Sequence, residues 1–394
     1  MIASEKLTAE QVRAVYLEVL EREPSEAEVI EQTGQPDLRA MLRLALDSDE
    51  YGQRVRAVLA AEVAKRPAVV NIYAPGLTEH TLPPGTRSDD GIAIVGQGGT
   101  LFLCGGTNAN LGQYVGEVEM EPGWLDRWTE IVLARREEMH AMGLVNALLV
   151  VPDKLAVYED RYPEPLDKVG PRPVERLLAV PELELLYPLA ELRARSAEED
   201  VYLRTDTHLT FRGNELLFRS LVEPLAIDPA AIPDFAAMPL RSYPLFGDLG
   251  VKFEPRLITI VSEPNTLGAA AIVEDNRAEI EAVGGHIGSR RVFRNESASD
   301  RRVAVLYGDS FGFSDAYYQG VSWFLAQVFR EVHFVWVPFG WDPDYAREVG
   351  AEVVLMQGAE RFVARVPHPR SQVDALVAET LARKRPVGVE AVSD

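Results

Sequence analysis

From residue 91 onward, short apolar runs alternate with stretches whose apolar positions recur at helical spacing. The runs are NALLVVP (146–152), VAVLYG (303–308), HFVWVP (333–338) and EVVLMQ (352–357). Between and around them lie a helical stretch carrying Trp124, Trp128, Ile131, Val132 and Arg135, then YYQGVSWFLAQVF, PDYAREVG and a last helix at about 371–384. Runs that are apolar throughout belong to strands buried on both faces. The pattern therefore predicts an α/β domain, doubly wound around a parallel sheet. IAIVGQGGTLFLC reads as a hairpin entering that sheet. The irregular stretch 241–300, with turns at FGDLG and AVGGH, reads as a β-rich insertion.

The first 64 residues follow a different rule. Thr8 and Gln11 fit a capping box, with Leu7 and Val12 placed to staple it, and Val12, Val15, Tyr16, Val19 and Leu20 keep helical spacing. Pro24 and Ser25-Glu26-Ala27-Glu28 begin a second helix in the same way. Leu38, Leu42, Leu44 and Leu46 suggest a third, and Ser48-Asp49-Glu50-Tyr51 opens a fourth. The block is expected to be a small all-helical domain. YLEVLEREPSEAEV, with SDEY further on, resembles a helical module of unknown function found in bacterial surface-glycan and secreted proteins. Residues 65–90 have no period and several Pro and Gly, as a linker does. The expected division is 1–64 helical module, 65–90 linker, 91–385 catalytic domain and 386–394 tail.

Charge narrows the function. The 394-residue chain is 47% hydrophobic and 26% charged, an ordinary globular balance, but its net charge is −21. A nucleic-acid partner needs clustered Lys and Arg, and an anionic membrane surface needs the same, so neither is expected. A neutral or weakly charged substrate such as a glycan fits better. The single cysteine, Cys104, rules out an intrachain disulfide and a thiolate zinc cluster. GQGG is not a dinucleotide fingerprint, because Leu101 stands where glycine is required, so no cofactor is expected. The start lacks a basic region followed by an apolar core, and no apolar run reaches 18 residues. A soluble, cytoplasmic chain without a membrane span is expected.

Two segments carry chemistry. In VAVLYGDSFG a buried strand runs into Gly308-Asp309-Ser310, placing the Ser310 hydroxyl at the strand's carboxyl end, where reactive groups of α/β domains gather. In RTDTHLTFRGNELLF, Asp206 and His208 are two apart, and in an extended stretch they would point to one side. A carboxylate there can hold Nδ1–H and leave Nε2 to activate a serine, which is a poor nucleophile without a base. Singly, Gly-Asp-Ser is more often a plain turn and Asp-x-His a surface pair. Together they gain weight, because none of the other histidines among the six has a comparable polar setting. His140, His286, His333 and His368 read as structural or solvated. No third ligand has metal spacing, so no metal is expected.

These motifs resemble the SGNH hydrolase superfamily and, more closely, its alginate O-acetyltransferase-like branch, in which Asp-x-His precedes Gly-x-Ser. The resemblance rests on LFLCGGTNANLGQY, LLVVPDKLAVYED, YLRTDTHLTFRGNE and VLYGDSFG with VVLMQGAERFV. It implies a flavodoxin-like sheet, with Asp206, His208 and Ser310 as acid, base and nucleophile. The family usually has Trp directly after the histidine. Here Leu209 stands there, so a differently shaped acceptor pocket is expected.

The N–H of Ser310 is the expected oxyanion donor. Asn108, Asn110, Tyr158 and Arg361 are candidate substrate-binding residues, each with a plainer role beside it. The plainer readings make the asparagines loop-stabilising residues, Arg361 a structural partner of a carboxylate, and Tyr158 and Lys154 a solvated edge. Asp309 is expected to bond the turn backbone. Three functions fit: a carbohydrate O-acyltransferase, with acetyl the group that the resemblance implies, whose partners are an acyl donor and a sugar acceptor; a carbohydrate esterase using the same triad; and a noncatalytic glycan-binding scaffold.

Overall fold

The computed structural model describes residues 8–16, 23–33, 72–73, 82–254, 256–264, 268–282, 285–315 and 318–383. In chain order the strands are β1 (Ile72–Tyr73), β2 (Ala93–Val95), β3 (Leu101–Leu103), β4 (Val145–Val151), β5 (Leu185–Leu186), β6 (Arg241–Leu245), β7 (Ile258–Glu263), β8 (Ala271–Asp275), β9 (Arg290–Arg294), β10 (Asp300–Gly308), β11 (Ser314–Asp315), β12 (Tyr318–Gln319), β13 (Phe329–Trp336) and β14 (Val353–Ala359). The main sheet has seven strands in the order β5-β4-β14-β10-β13-β9-β8. The first five in that order run parallel, and β9 and β8 close one edge antiparallel.

Alternate residues of the parallel strands enter two separate cores, which is why these strands are apolar throughout. Leu149, Val151, Leu306, Phe334 and Leu355 face one core, with Phe211, Leu217 and Phe218 of the helix Phe211–Ser220 and with Trp323 and Phe324 of the helix Val321–Val328. Leu148, Val150, Val305, Tyr307, Val335, Val354 and Met356 face the other. There they meet Trp124, Trp128 and Val132 of the helix Trp124–Ala141 and Tyr345 and Ala346 of the helix Pro343–Glu348. The sheet is thus doubly wound, as the sequence pattern predicts.

The 241–300 stretch is β-rich, as its pattern predicts, and serves two sheets. Its β8 and β9 extend the main sheet, while β6 and β7 pair with each other. Within the expected linker, Ile72 and Tyr73 pair in parallel with Ile258 and Thr259, and Arg87 bridges Ile94. The hairpin β2–β3 makes its own two-stranded sheet and does not join the main one.

Of the N-terminal block, the helices Ala9–Val15 and Glu26–Gln32 are described. The second begins with a capping box: the Ser25 N–H donates to Glu28 at 2.8 Å, and the Glu28 N–H donates to Ser25 Oγ at 3.3 Å. The expected third and fourth helices lie outside the described residues. Among the described residues, no helix is long and apolar enough to cross a membrane.

Candidate active site

Because β4, β14, β10 and β13 are parallel, their carboxyl ends, Val151, Ala359, Gly308 and Trp336, lie along one edge of the sheet. The segment Leu203–Leu209 is drawn to this edge. Tyr202 and Leu209 bridge antiparallel, and the Leu203 N–H donates to the His208 carbonyl at 2.9 Å, so the residues between them form a closed loop. The next residue, Thr210, caps the helix Phe211–Ser220 by accepting from the Gly213 N–H. His208 is thereby fixed three residues ahead of a core helix.

Asp206 and His208 do not meet through an extended strand. Asp206 Oδ1 accepts the His208 backbone N–H at 2.9 Å and lies 2.5 Å from His208 Nδ1. The first bond is the local turn an Asp makes with the residue two ahead, and it delivers the imaginable strand geometry by another route. Asp206 is buried, and the His208 side chain is 20% exposed.

The loop is held from two sides. From below, Lys154, directly after β4, donates from Nζ to the carbonyls of Leu203 (2.6 Å), Arg204 (3.0 Å) and Asp206 (2.9 Å). Lys154 is only 5% exposed, so the expected solvated edge is replaced by a buried tie. From outside, the Asp248 N–H donates to Asp206 Oδ2 at 3.0 Å. Its carboxylate accepts from the Thr207 N–H at 2.7 Å and from the Thr207 hydroxyl. Asp248 can come this close because Gly247 precedes it. Gly247 has φ +69, and a Cβ there would lie 2.3 Å from the Thr205 carbonyl oxygen.

Opposite the loop, β10 ends at Gly308 and turns through Asp309, half-buried Ser310 and Phe311. Asp309 does bond the turn, accepting the Phe311 N–H at 3.0 Å, and it reaches further. Its carboxylate also accepts from Gln357 Nε2 (2.7 Å) and the Ala359 N–H (2.6 Å), while its own N–H donates to Gln357 Oε1. Gly308 is required for that contact, since a Cβ would lie 2.4 Å from Gln357 Oε1. The Phe311 ring then lies 5.2 Å from the His208 ring, centroid to centroid, so the residue following Ser310 touches the imidazole.

The charges follow from these contacts. Burial alone would raise Asp206, but the His208 ring and N–H and the Asp248 N–H overcome it and bring the carboxyl down to about 2. Burial lowers His208, yet Asp206 outweighs it, with Asp248 adding and Arg361 opposing, so the imidazole ends above its ordinary 6.5. Burial brings Lys154 down to about 7 against the pull of Asp206, Asp248 and Asp200.

Arg361 pairs with Asp153 at 2.6 Å, both buried, and its guanidinium stands 5.5 Å from the Phe311 ring centroid. Asn110 donates to the Leu103 carbonyl at 3.2 Å and lines a small crevice with Asp153, Lys154, Thr207 and Arg361. Asn108 lies farther along its loop, its carbonyl accepting from Gln113 at 2.6 Å. Tyr158 is not set as a cleft wall. It is 1% exposed, and its hydroxyl accepts from the N–H groups of Val201 (2.8 Å) and Tyr202 (3.2 Å). Leu209 is likewise buried in the core and not part of an open pocket. His333 is structural, with Nδ1 2.7 Å from the Tyr345 hydroxyl and Nε2 2.9 Å from Glu331.

Asp248 escaped the sequence reading, where FGDLG signalled only a turn. Asp206, His208 and Asp248 present donor atoms within 4.8 Å of one another, a spacing a cation would accept. The hydrogen bonds just described already engage both carboxylates.

Among solved structures, the chain is similar to the O-acetyltransferase domain of Pseudomonas putida AlgJ, at 17% identity over 74% of this chain and 99% of that one, with a TM-score of 0.43. It is similar to Bacillus cereus PatB1, solved with a sulfonyl adduct, at 13% identity over 64% of this chain and 95% of that one, TM-score 0.45. It is also similar to Pseudomonas aeruginosa AlgX, at 13% identity over 69% of this chain and 63% of that one, TM-score 0.42. No family model and no curated protein matches the chain.

Proposed function

We propose that the chain is a carbohydrate O-acetyltransferase working through an acetyl-Ser310 intermediate. The observation that supports this most is the Asp206–His208 couple, with Nδ1 engaged at 2.5 Å and the ring packed on Phe311, the residue after Ser310. The motif resemblance, drawn from the sequence, points to the same chemistry.

In this reading His208 Nε2 takes the proton of Ser310 as its Oγ attacks the acyl carbonyl carbon of the donor. The N–H of Ser310 steadies the oxyanion. The C–O or C–S bond to the leaving group then breaks, and His208 returns the proton to it. A sugar hydroxyl next attacks the acetyl-serine. His208 accepts its proton and delivers it to Ser310 Oγ as the ester bond there breaks. Asp206 holds the imidazole tautomer and stabilises its charged form throughout. Asn110 and Arg361 line a crevice together with Thr207 of the loop, and they are the ones proposed to face substrate.

The test is incubation with a chromogenic acetyl ester, with and without a panel of oligosaccharides. Transfer predicts one acetyl gained on a sugar. Release of free acetate alone would make the chain an esterase, and no ester cleavage would leave a glycan-binding scaffold.

A further inference from the structure

We propose that Asp248 is a positioning residue of this site, clamping the segment Asp206–Thr207–His208 through its backbone N–H on Asp206 and its carboxylate on Thr207. The proposal rests on the reading of Asp206 and His208 as the orienting acid and the base, and it adds a residue that neither the motifs nor the resemblance supplies.

The clamp has three hydrogen bonds on two consecutive residues. Asp206 Oδ1 is committed to His208, so the direction of its carboxylate plane depends on what holds Oδ2. That holder is the Asp248 N–H at 3.0 Å. The peptide between the two functional residues depends on what holds Thr207, and both of its donors, N–H and hydroxyl, go to the Asp248 carboxylate. Ladder bonds close this loop only at its base, at Tyr202–Leu209 and Leu203–His208, so these contacts fix the part between. The arrangement is specific in sequence too. Gly247 and Asp248 open a four-residue helix, Gly247–Gly250, whose Leu249 and Gly250 N–H groups both donate to the Thr205 carbonyl, at 3.2 and 2.9 Å. The clamp is therefore anchored on the residue just before Asp206 as well.

Asp248 also brings a second negative charge to His208. The charged groups facing the imidazole are Asp206 on its own loop, Asp248 from the short helix and Arg361 from the segment after β14, with Lys154 behind the loop on the Asp206 side. Asp248 adds to Asp206 and opposes Arg361. Because Asp248 is exposed at the site's outer edge while its carboxylate turns inward, solvent screens part of this effect.

Two substitutions separate the clamp from the charge. Asp248→Asn keeps an acceptor for the Thr207 N–H and removes the charge, whereas Asp248→Ala removes both. The backbone N–H on Asp206 remains in each. The His208 imidazole is followed by NMR in the full-length chain, its signal assigned by its loss in His208→Gln, and turnover of the chromogenic ester is measured alongside. The expected result is a fall in the imidazole titration midpoint of about half a pH unit in Asp248→Asn, the size of one partly screened charge a few ångström away. Asp248→Ala should lower kcat about 5- to 10-fold with KM unchanged, as for loss of ordinary hydrogen bonds that orient a catalytic group. If wild-type protein cleaves no ester, the functional reading fails, and the clamp is decided by the His208 imidazole signal of Asp248→Ala, which should move and broaden as the loop loosens. An unmoved midpoint in Asp248→Asn removes the charge effect, and an imidazole signal in Asp248→Ala identical to that of the wild type overturns the proposal. So does wild-type kcat in Asp248→Ala, or a loss confined to KM, which would mean that Asp248 touches substrate.

Discussion

Lys154 Nζ donates to the carbonyl of Asp206 at 2.9 Å, so a buried ammonium grips the backbone of the residue whose carboxylate holds His208. The same ammonium also grips Leu203 and Arg204, which makes it the floor of the whole loop.

Lys154→Met should therefore loosen the loop and change the pH dependence of stability. In the unfolded chain this lysine keeps its proton up to about 10.4, while in the folded chain it does so only up to about 7. Between those values the unfolded state binds more protons, so the group makes the fold more stable as pH rises, by at most about 1.4 kcal/mol per pH unit. Urea denaturation from pH 7 to 10 should show that slope in the wild type and not in Lys154→Met. Parallel curves would contradict the lowering of Lys154 by burial.

Ester turnover should rise with pH as His208 loses its proton, with a midpoint above 6.5 because Asp206 holds the imidazolium. In Asp206→Asn that attraction is gone and burial, which lowers the imidazole, prevails. The midpoint should move down while the plateau falls steeply, in the direction of the roughly 10⁴-fold loss known for a serine protease. Stopped-flow or steady-state rates across pH 5–9 (a span of about four units bracketing the usual histidine value) would check both. A midpoint that stays in place would show that Asp206 does not govern His208.

Tyr158→Phe separates a core tyrosine from a substrate contact. The hydroxyl's two backbone donors, from Val201 and Tyr202, would be left without it. A buried unsatisfied group costs about 1–3 kcal/mol, so thermal stability should fall while KM for a small ester stays as in the wild type. A raised KM at unchanged stability would restore Tyr158 to the substrate.

The sheet was legible because NALLVVP, VAVLYG, HFVWVP and EVVLMQ are apolar through their interiors, with polar residues only at their ends, and strands with a core on each face need that. The edge strands were not. β8 reads AIVED and carries exposed Ala271 and Glu274, so its pattern carries no sign of the sheet it joins. Within the candidate site, Asp206 and His208 were found through their spacing, although a turn and not a strand brings them together. Lys154 was taken for a solvated residue because the usual place of a lysine is the surface. Its burial depends on three carbonyls brought to it by a loop about fifty residues later, which no local pattern records. Asp248 was hidden for the same reason, its partners lying 41 and 42 positions away.

The most direct test of the central claim is intact-mass measurement of the full-length chain after brief exposure to an activated acetyl ester. The account predicts wild-type protein heavier by one acetyl group, mapped by peptide digestion to Ser310. Asp206→Asn should acquire it slowly, and Ser310→Ala and His208→Ala should not acquire it. An acetyl group on Ser310→Ala in the same yield, or ester turnover by that variant at the wild-type rate, would contradict the account.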